Sequence, residues 1–193
     1  MEQATIADLS AAMADGELTS EAITRQYLTR IEQIDQAGPK INAVIELNPE
    51  ALEEAKALDK ERSDDQVRGP LHGIPILIKD NIETRYPMHT TAGSIALEDF
   101  RVRRDAHLVN RLRRSGAVIL GKANLSEWAN FRGHRSVSGW SSLGGLTRNP
   151  HALDRTACGS SSGSAAGVAA DLCAAAVGTE TDGSIICPSH SCG

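Results

Sequence analysis

Three short stretches of this chain carry groups that could do chemistry. Lys79 follows directly on the apolar run 74–78 (IPILI). A lysine in that place usually snorkels, lying its stem along apolar surface and keeping its head in water. Buried instead, it loses hydration, its pKa falls from about 10.4, and the neutral amine becomes a base. The second stretch is CGSSSGS at 158–164, leading into a helix-compatible run of small residues. Backbone N–H groups at such a helix start suit an anion or a developing oxyanion. The third is GTETDGSI at 178–185, where small and polar residues around Gly183 allow a tight turn whose amides converge beside Ser184. A tetrahedral intermediate needs such a nest, although an ordinary polar turn has the same composition.

Within the second stretch, Gly159-x-Ser161-x-Gly163 matches the nucleophile elbow of α/β-hydrolases. That pattern is short, and it needs an Asp and then a His downstream. With Asp182 and His190 in those roles, the 29 residues from Ser161 to His190 leave little room for the intervening strands and helices. The glycine pattern is no Walker phosphate loop either, because the Gly-Lys-Ser/Thr ending is absent.

The elements that must position these groups read as α/β. Thr5 caps a first short helix carrying Ile6, Leu9 and Met13 and closed by Gly16. Thr19 caps a second, with Ile23, Tyr27, Ile31 and Ile34 on one face. A strand at 42–47 and a charged amphipathic helix at 50–62 follow. The run 73–78 reads as a strand buried on both faces, ending before Lys79. A helix at 105–114 and a second buried strand at 117–120 complete a strand–helix–strand unit, which predicts parallel pairing. The last 61 residues hold ten of the 17 Gly, and from Thr156 onward there is no Lys or Arg. The apolar runs 165–170 and 174–177 argue against a linker and for close packing of backbones.

Composition bounds the function. The chain has 193 residues, 40% hydrophobic, with a formal net charge of −5, which fits one globular domain or part of one. The mild acidity makes no electrostatic case for nucleic acid or an anionic membrane. No stretch approaches the roughly 18 apolar residues of a spanning helix. The start shows neither a basic segment nor an apolar leader, so a soluble, cytoplasmic chain with four free thiols is expected. Cys158, Cys173, Cys187 and Cys192 lack the CxxC spacing of a metal set. His190 reads as an end-of-strand residue, and no metal or cofactor is assigned.

Taken in order, GPLHGIPILIKDN (69–81), SGAVILGKANLSEWA (115–129), CGSSSGSAAGVAA (158–170) and GTETDGSI (178–185) resemble the amidase signature family. The CGSSSGSA and TETDGSI variants, with the segment 124–133, resemble its peptide amidase branch. The resemblance implies a mixed β-sheet flanked by helices. A helical lead-in over about 1–65 would precede a signature core over about 69–193. It also implies a Ser–Ser–Lys triad for amide hydrolysis through an acyl-enzyme. Lys79 would be the base. Ser160, held by a cis peptide bond in the family, would be the relay, and Ser184, 24 residues on, the nucleophile. Backbone N–H groups of Thr181, Asp182, Gly183 and Ser184 would hold the oxyanion. Ser161 is expected to hydrogen-bond rather than react. With Asn130 it is assigned to the substrate side of the site.

Ser162 and Asp182 stand where the family commonly has Gly, and both fit the peptide amidase variant. The implied substrate is a carboxamide, such as the C-terminal amide of a peptide. A glutaminase-type subunit of an aminoacyl-tRNA amidotransferase, or an inactive fragment, are the alternatives. Family members are typically more than twice as long, and this sequence stops nine residues after Ser184. A product ending there is expected to lack sheet partners, to be marginally stable and to turn over little.

Overall fold

The computed structural model describes residues 4–131 and 133–193. Its centre is a four-stranded mixed sheet. Across it lie, in this order, β1 (Val44–Leu47), β3 (Val118–Ala123), β2 (Pro75–Lys79) and β8 (Ala175–Val177). Strand β2 runs parallel to β3 and to β8, while β1 runs antiparallel to β3. Every residue of β2 and β3 is buried, as continuous apolar runs covered on both faces require. The crossover between them contains α4 (His107–Arg114). Helices α1 (Ile6–Ala14), α2 (Ser20–Arg30) and α3 (Ala51–Ser63) lead in, and α2 and α3 pack on each other and reach β2 and β3. Two short ribbons, β4–β5 (Trp140–Ser141 with Gly145–Leu146) and β6–β7 (Arg148–Asn149 with Ala152–Thr156), precede α5 (Ser162–Ala169). The chain closes with α6 (Ile186–Cys192). This is the mixed sheet flanked by helices that the resemblance implied. Among the described residues, no helix is long and apolar enough to cross a membrane.

Local chemistry explains most of these elements. Thr5 caps α1 in a capping box with Asp8, and Thr19 Oγ1 accepts from the N–H of Ala22. Beyond Arg30 the second helix does not simply end; residues Ile31–Gln36 widen into a π-helical turn. The turn brings Asp35 inside, where its carboxylate accepts from the N–H groups of Ala43 (2.6 Å) and Val44 (3.2 Å) and starts β1. Helix α5 lies close on the sheet because it presents glycine there. A Cβ on Gly163 would stand 2.4 Å from the carbonyl oxygens of Ala43 and Asn124, and one on Gly167 3.1 Å from Leu77.

Several boundaries differ from expectation, each for a physical reason. Strand β2 extends through Lys79 rather than stopping before it, because the amine finds polar partners inside the fold. Strand β3 runs past Leu120 to Ala123: Gly121 leaves room for β1, with the Glu46 carbonyl only 2.4 Å from where a Cβ would sit. Lys122 is buried because Asp80 neutralises it. Helix α4 begins at His107, since Asp105 instead accepts from the Arg85 N–H at 2.8 Å and pairs with Arg113 at 3.2 Å. His190 lies exposed on α6 and not at a strand end. The expectation of four free thiols also fails. Cys158 and Cys187 form a disulfide, because α6 folds back beside the loop before α5; Cys173 and Cys192 are free and buried.

The glycine contacts give a stability prediction. Gly163→Ala places a methyl against two backbone oxygens that cannot rotate away, so the urea midpoint should fall by the equivalent of about 3 kcal/mol, the upper end of ordinary overpacking. An unchanged midpoint would mean that α5 does not sit this close to the sheet.

Candidate active site

Lys79 ends β2 at the carboxyl edge of the parallel strands, where α/β sheets place their sites. It is fully buried. Its Nζ lies 2.7 Å from Ser160 Oγ, 3.0 Å from Ser161 Oγ, 2.8 Å from Thr179 Oγ1 and 3.1 Å from the Thr179 carbonyl. Burial pushes the Lys79 ammonium down to about 8. Among the described residues no carboxylate pairs with it. Neighbouring strand residues point to opposite faces, and Asp80 turns to Lys122 (3.3 Å) and to the N–H and hydroxyl of Thr91. Burial also lowers the pKa of Lys122, but Asp80 opposes that shift. The two buried lysines differ in one respect, the counter-charge.

The partners of Lys79 restrict where its protons go. The Thr179 carbonyl only accepts. Ser161 Oγ lies 3.1 Å from that carbonyl and donates its hydrogen there, while accepting from the Thr179 N–H at 3.2 Å. Both can only accept from Lys79. A neutral amine therefore spends its two N–H donors on them and turns its lone pair to a hydroxyl that can donate, that of Ser160 or Thr179. Asn81 Nδ2 donates to Thr179 Oγ1 at 3.0 Å and steadies it.

Ser160 stands at the end of a turn in which Cys158 (φ 63°) and Gly159 (φ 54°) take left-handed conformations. The peptide bond before Ser160 is trans, contrary to what the family resemblance implied; the cis bond among the described residues is Tyr86–Pro87. The two left-handed residues make the reversal instead. Ser184 lies in the turn between β8 and α6, and its carbonyl accepts from the Ser161 N–H at 3.0 Å. Both serines line one cavity of about 360 Å³, together with Thr181, Asp182, Gly183, Asn130, Ser138, Cys158 and Cys187. Their hydroxyls share its wall without a hydrogen bond between them. Lys79 lies behind that wall and touches Ser160, not Ser184.

The remaining expected residues divide. Asn130 reaches the cavity through three successive left-handed residues, Trp128, Ala129 and Asn130 itself (φ 53°, 53° and 74°). Non-glycine residues rarely adopt that geometry. Ser161 is buried against Lys79 and Thr179 and is not on the cavity wall. Of the amides expected to face an oxyanion, that of Gly183 donates to Glu180 Oε1 at 2.9 Å. Those of Thr181, Asp182 and Ser184 have no partner among the described residues. Sequence reasoning missed Thr179, Glu180 and the Asp80–Lys122 pair, although KDN at 79–81 and TE at 179–180 lie inside the motifs that carried the signal.

Because only one of the two buried lysines has a counter-charge, their substitutions should behave differently. Asp80→Asn strands the Lys122 charge and should cost about 3–5 kcal/mol. Lys79→Met should leave stability near pH 7 within about 1 kcal/mol, since the amine's desolvation cost disappears with its hydrogen bonds. The folded chain releases the Lys79 proton near 8, whereas the unfolded lysine keeps its proton to 10.5. The unfolded state therefore binds more protons in that window, and stability rises with pH there. Urea titrations across it should show this increment in the parent and not in Lys79→Met. Equal slopes would place the amine in contact with water.

The chain is similar to known proteins along nearly its whole length. A native peptide amidase structure from Stenotrophomonas maltophilia superposes with a TM-score of 0.95 at 60% identity, over 97% of this chain and 38% of that one. A probable amidase of Arabidopsis thaliana is 49% identical over 190 residues, 97% of this chain and 36% of its own length. One chain of the glutamyl-tRNA(Gln) amidotransferase of Halorhodospira halophila is 44% identical over 185 residues, 96% of this chain and 36% of its own. The present chain thus spans a little over a third of the relatives it matches. The family model for amidases covers residues 22–193, and the chain belongs to the amidase signature family.

Proposed function

We propose that this chain carries the nucleophilic machinery of an amide hydrolase acting on carboxamides, the C-terminal amides of peptides among them. One observation carries the reading: a fully buried lysine without a counter-charge, 2.7 Å from a serine that shares a cavity with a second serine. Neutral Lys79 takes the proton of Ser160 as Ser160 takes that of Ser184. Ser184 Oγ then attacks the carbonyl carbon, and the C=O electron pair moves onto oxygen, toward the amides of Thr181, Asp182 and Ser184. Collapse re-forms the carbonyl and breaks the C–N bond. The proton returns through Ser160 to the leaving nitrogen, releasing ammonia or an amine. Water, deprotonated along the same path, hydrolyses the ester and restores Ser184.

This mechanism needs the Ser160 and Ser184 hydroxyls to come within hydrogen-bond reach, which catalytic pairs often do only once substrate is bound. Asn130, on the cavity wall, is the side chain placed to hold the substrate, and Ser161 serves by holding Lys79. The higher identity to a peptide amidase (60%) than to the amidotransferase chain (44%) supports peptide amides over glutamine.

Ammonia release from a peptide amide, and acylation of Ser184 followed by intact mass, test the assignment. Lys79→Ala, Ser160→Ala and Ser184→Ala should each lower the rate by about 100-fold or more. His190→Ala, on the exposed face of α6, should leave it unchanged. An active Ser184→Ala variant, or a parent chain whose Ser184 is never acylated, would overturn the reading. Since protonation removes the base, the rate should rise with pH through an apparent value of about 8 and level off above it. A profile flat from about pH 6 to 9, a range that spans the Lys79 value by ordinary acid–base behaviour, would remove Lys79 from the mechanism.

A further inference from the structure

Glu180 is exposed, yet its carboxylate is fully engaged with the backbone. Oε1 accepts from the N–H of Gly183 at 2.9 Å, and Oε2 from those of Ile185 (2.7 Å) and Ile186 (2.8 Å). These three amides bracket Ser184. Those of Ile186 and Ile185 hold the carboxyl below the usual carboxylate range. Gly183 adopts φ +71° within the loop so formed. The turn is also fastened by the Ser184 carbonyl, which receives the Ser161 N–H at 3.0 Å, by the Gly183 carbonyl, which receives the Cys187 N–H at 2.9 Å, and by the Cys158–Cys187 disulfide.

We propose that Glu180 is the positioning residue of the nucleophile turn: its two carboxylate oxygens clamp the amides on either side of Ser184 and withdraw the Gly183 N–H from the oxyanion set. The inference rests on the reading of Ser184 as nucleophile. A loop with only backbone contacts would sample many φ/ψ states, and nucleophile and oxyanion donors must be held in place before reaction to be worth their full effect. The carboxylate supplies that order with three charge-assisted hydrogen bonds, each stronger than a neutral one. It also assigns the amides. With Gly183 engaged, Thr181, Asp182 and Ser184 are left to face the cavity.

The clamp distinguishes substitutions atom by atom. Glu180→Ala removes all three contacts. Glu180→Gln keeps one acceptor oxygen, enough for Ile185 and Ile186, but sets an NH₂ against the Gly183 N–H. The experiment uses the 193-residue chain, with amide exchange resolved by residue and Ser184 labelling by a fluorophosphonate followed in time. In Glu180→Ala, exchange at Gly183, Ile185 and Ile186 should quicken while Ile76, Leu77 and Ile78 stay protected. The limiting labelling rate should fall by roughly 100-fold, with the half-saturating reagent concentration unchanged. Glu180→Gln should free Gly183 alone and recover part of the rate; it also serves if the alanine variant does not fold. Unchanged exchange at the three amides, or labelling at the parent rate once they are freed, would overturn the clamp. If the parent chain is never labelled, the nucleophile reading fails, while exchange still reports on Glu180.

Discussion

The site depends on a lysine held out of water with no carboxylate to meet it. Burial penalises the charged form of any amine, and a neighbouring anion normally offsets that penalty. Lys122 has such an anion in Asp80, one residue after Lys79 in the chain. Lys79 has only hydroxyls and a carbonyl, so its proton is loosely held, with a value of about 8. Had Asp80 faced the same side as Lys79, the amine would stay charged and have no lone pair to offer. The alternation of side chains along β2 separates a structural ion pair from a lysine without a counter-charge.

Everything around Lys79 serves to bring dipoles to it without bringing charge. Helix α5 can lie on the sheet because Gly163 and Gly167 remove the side chains that would hold it off, and this delivers Ser160 and Ser161 to the end of β2. Gly178 is confined in the same way, with Ser161 Oγ 2.8 Å from where its Cβ would be, so the strand leaving β8 passes close enough for Thr179 to complete the cage. The two serine-bearing turns are then tied at three levels: a backbone hydrogen bond from Ser161 to Ser184, the packing of Gly159 against Pro188, and the Cys158–Cys187 disulfide. Left-handed residues at 158–159 and 129–130 form part of the cavity wall, and local strain of this kind persists only where surrounding contacts hold it.

Much of this was readable in the sequence, and what was not has physical causes. The cap residues Thr5 and Thr19, the buried runs before Lys79 and through Leu120, and the ordered motifs each report on local structure or on chemistry within a few residues. The full length of β3 was hidden because Lys122 looks like a strand terminator until Asp80, 42 positions earlier, is set beside it. The disulfide was hidden because nothing in the spacing of four cysteines says which pair will meet. The roles of Ser161 and Glu180 were hidden, since their partners are a buried amine and backbone amides rather than groups with a sequence signature.

Residue types and their order tell which groups are present and which kind of site they suit: one lysine after an apolar strand, a serine at a glycine-rich helix start, and a second serine in a polar turn. Only the folded arrangement shows which lysine lacks a counter-charge, which hydroxyls can donate to it, and which amides of the Ser184 turn are already engaged. The reason is that pKa, hydrogen-bond direction and strand register are set by neighbours brought together through space across as many as 100 residues of chain, while motif spacing records only neighbours along it.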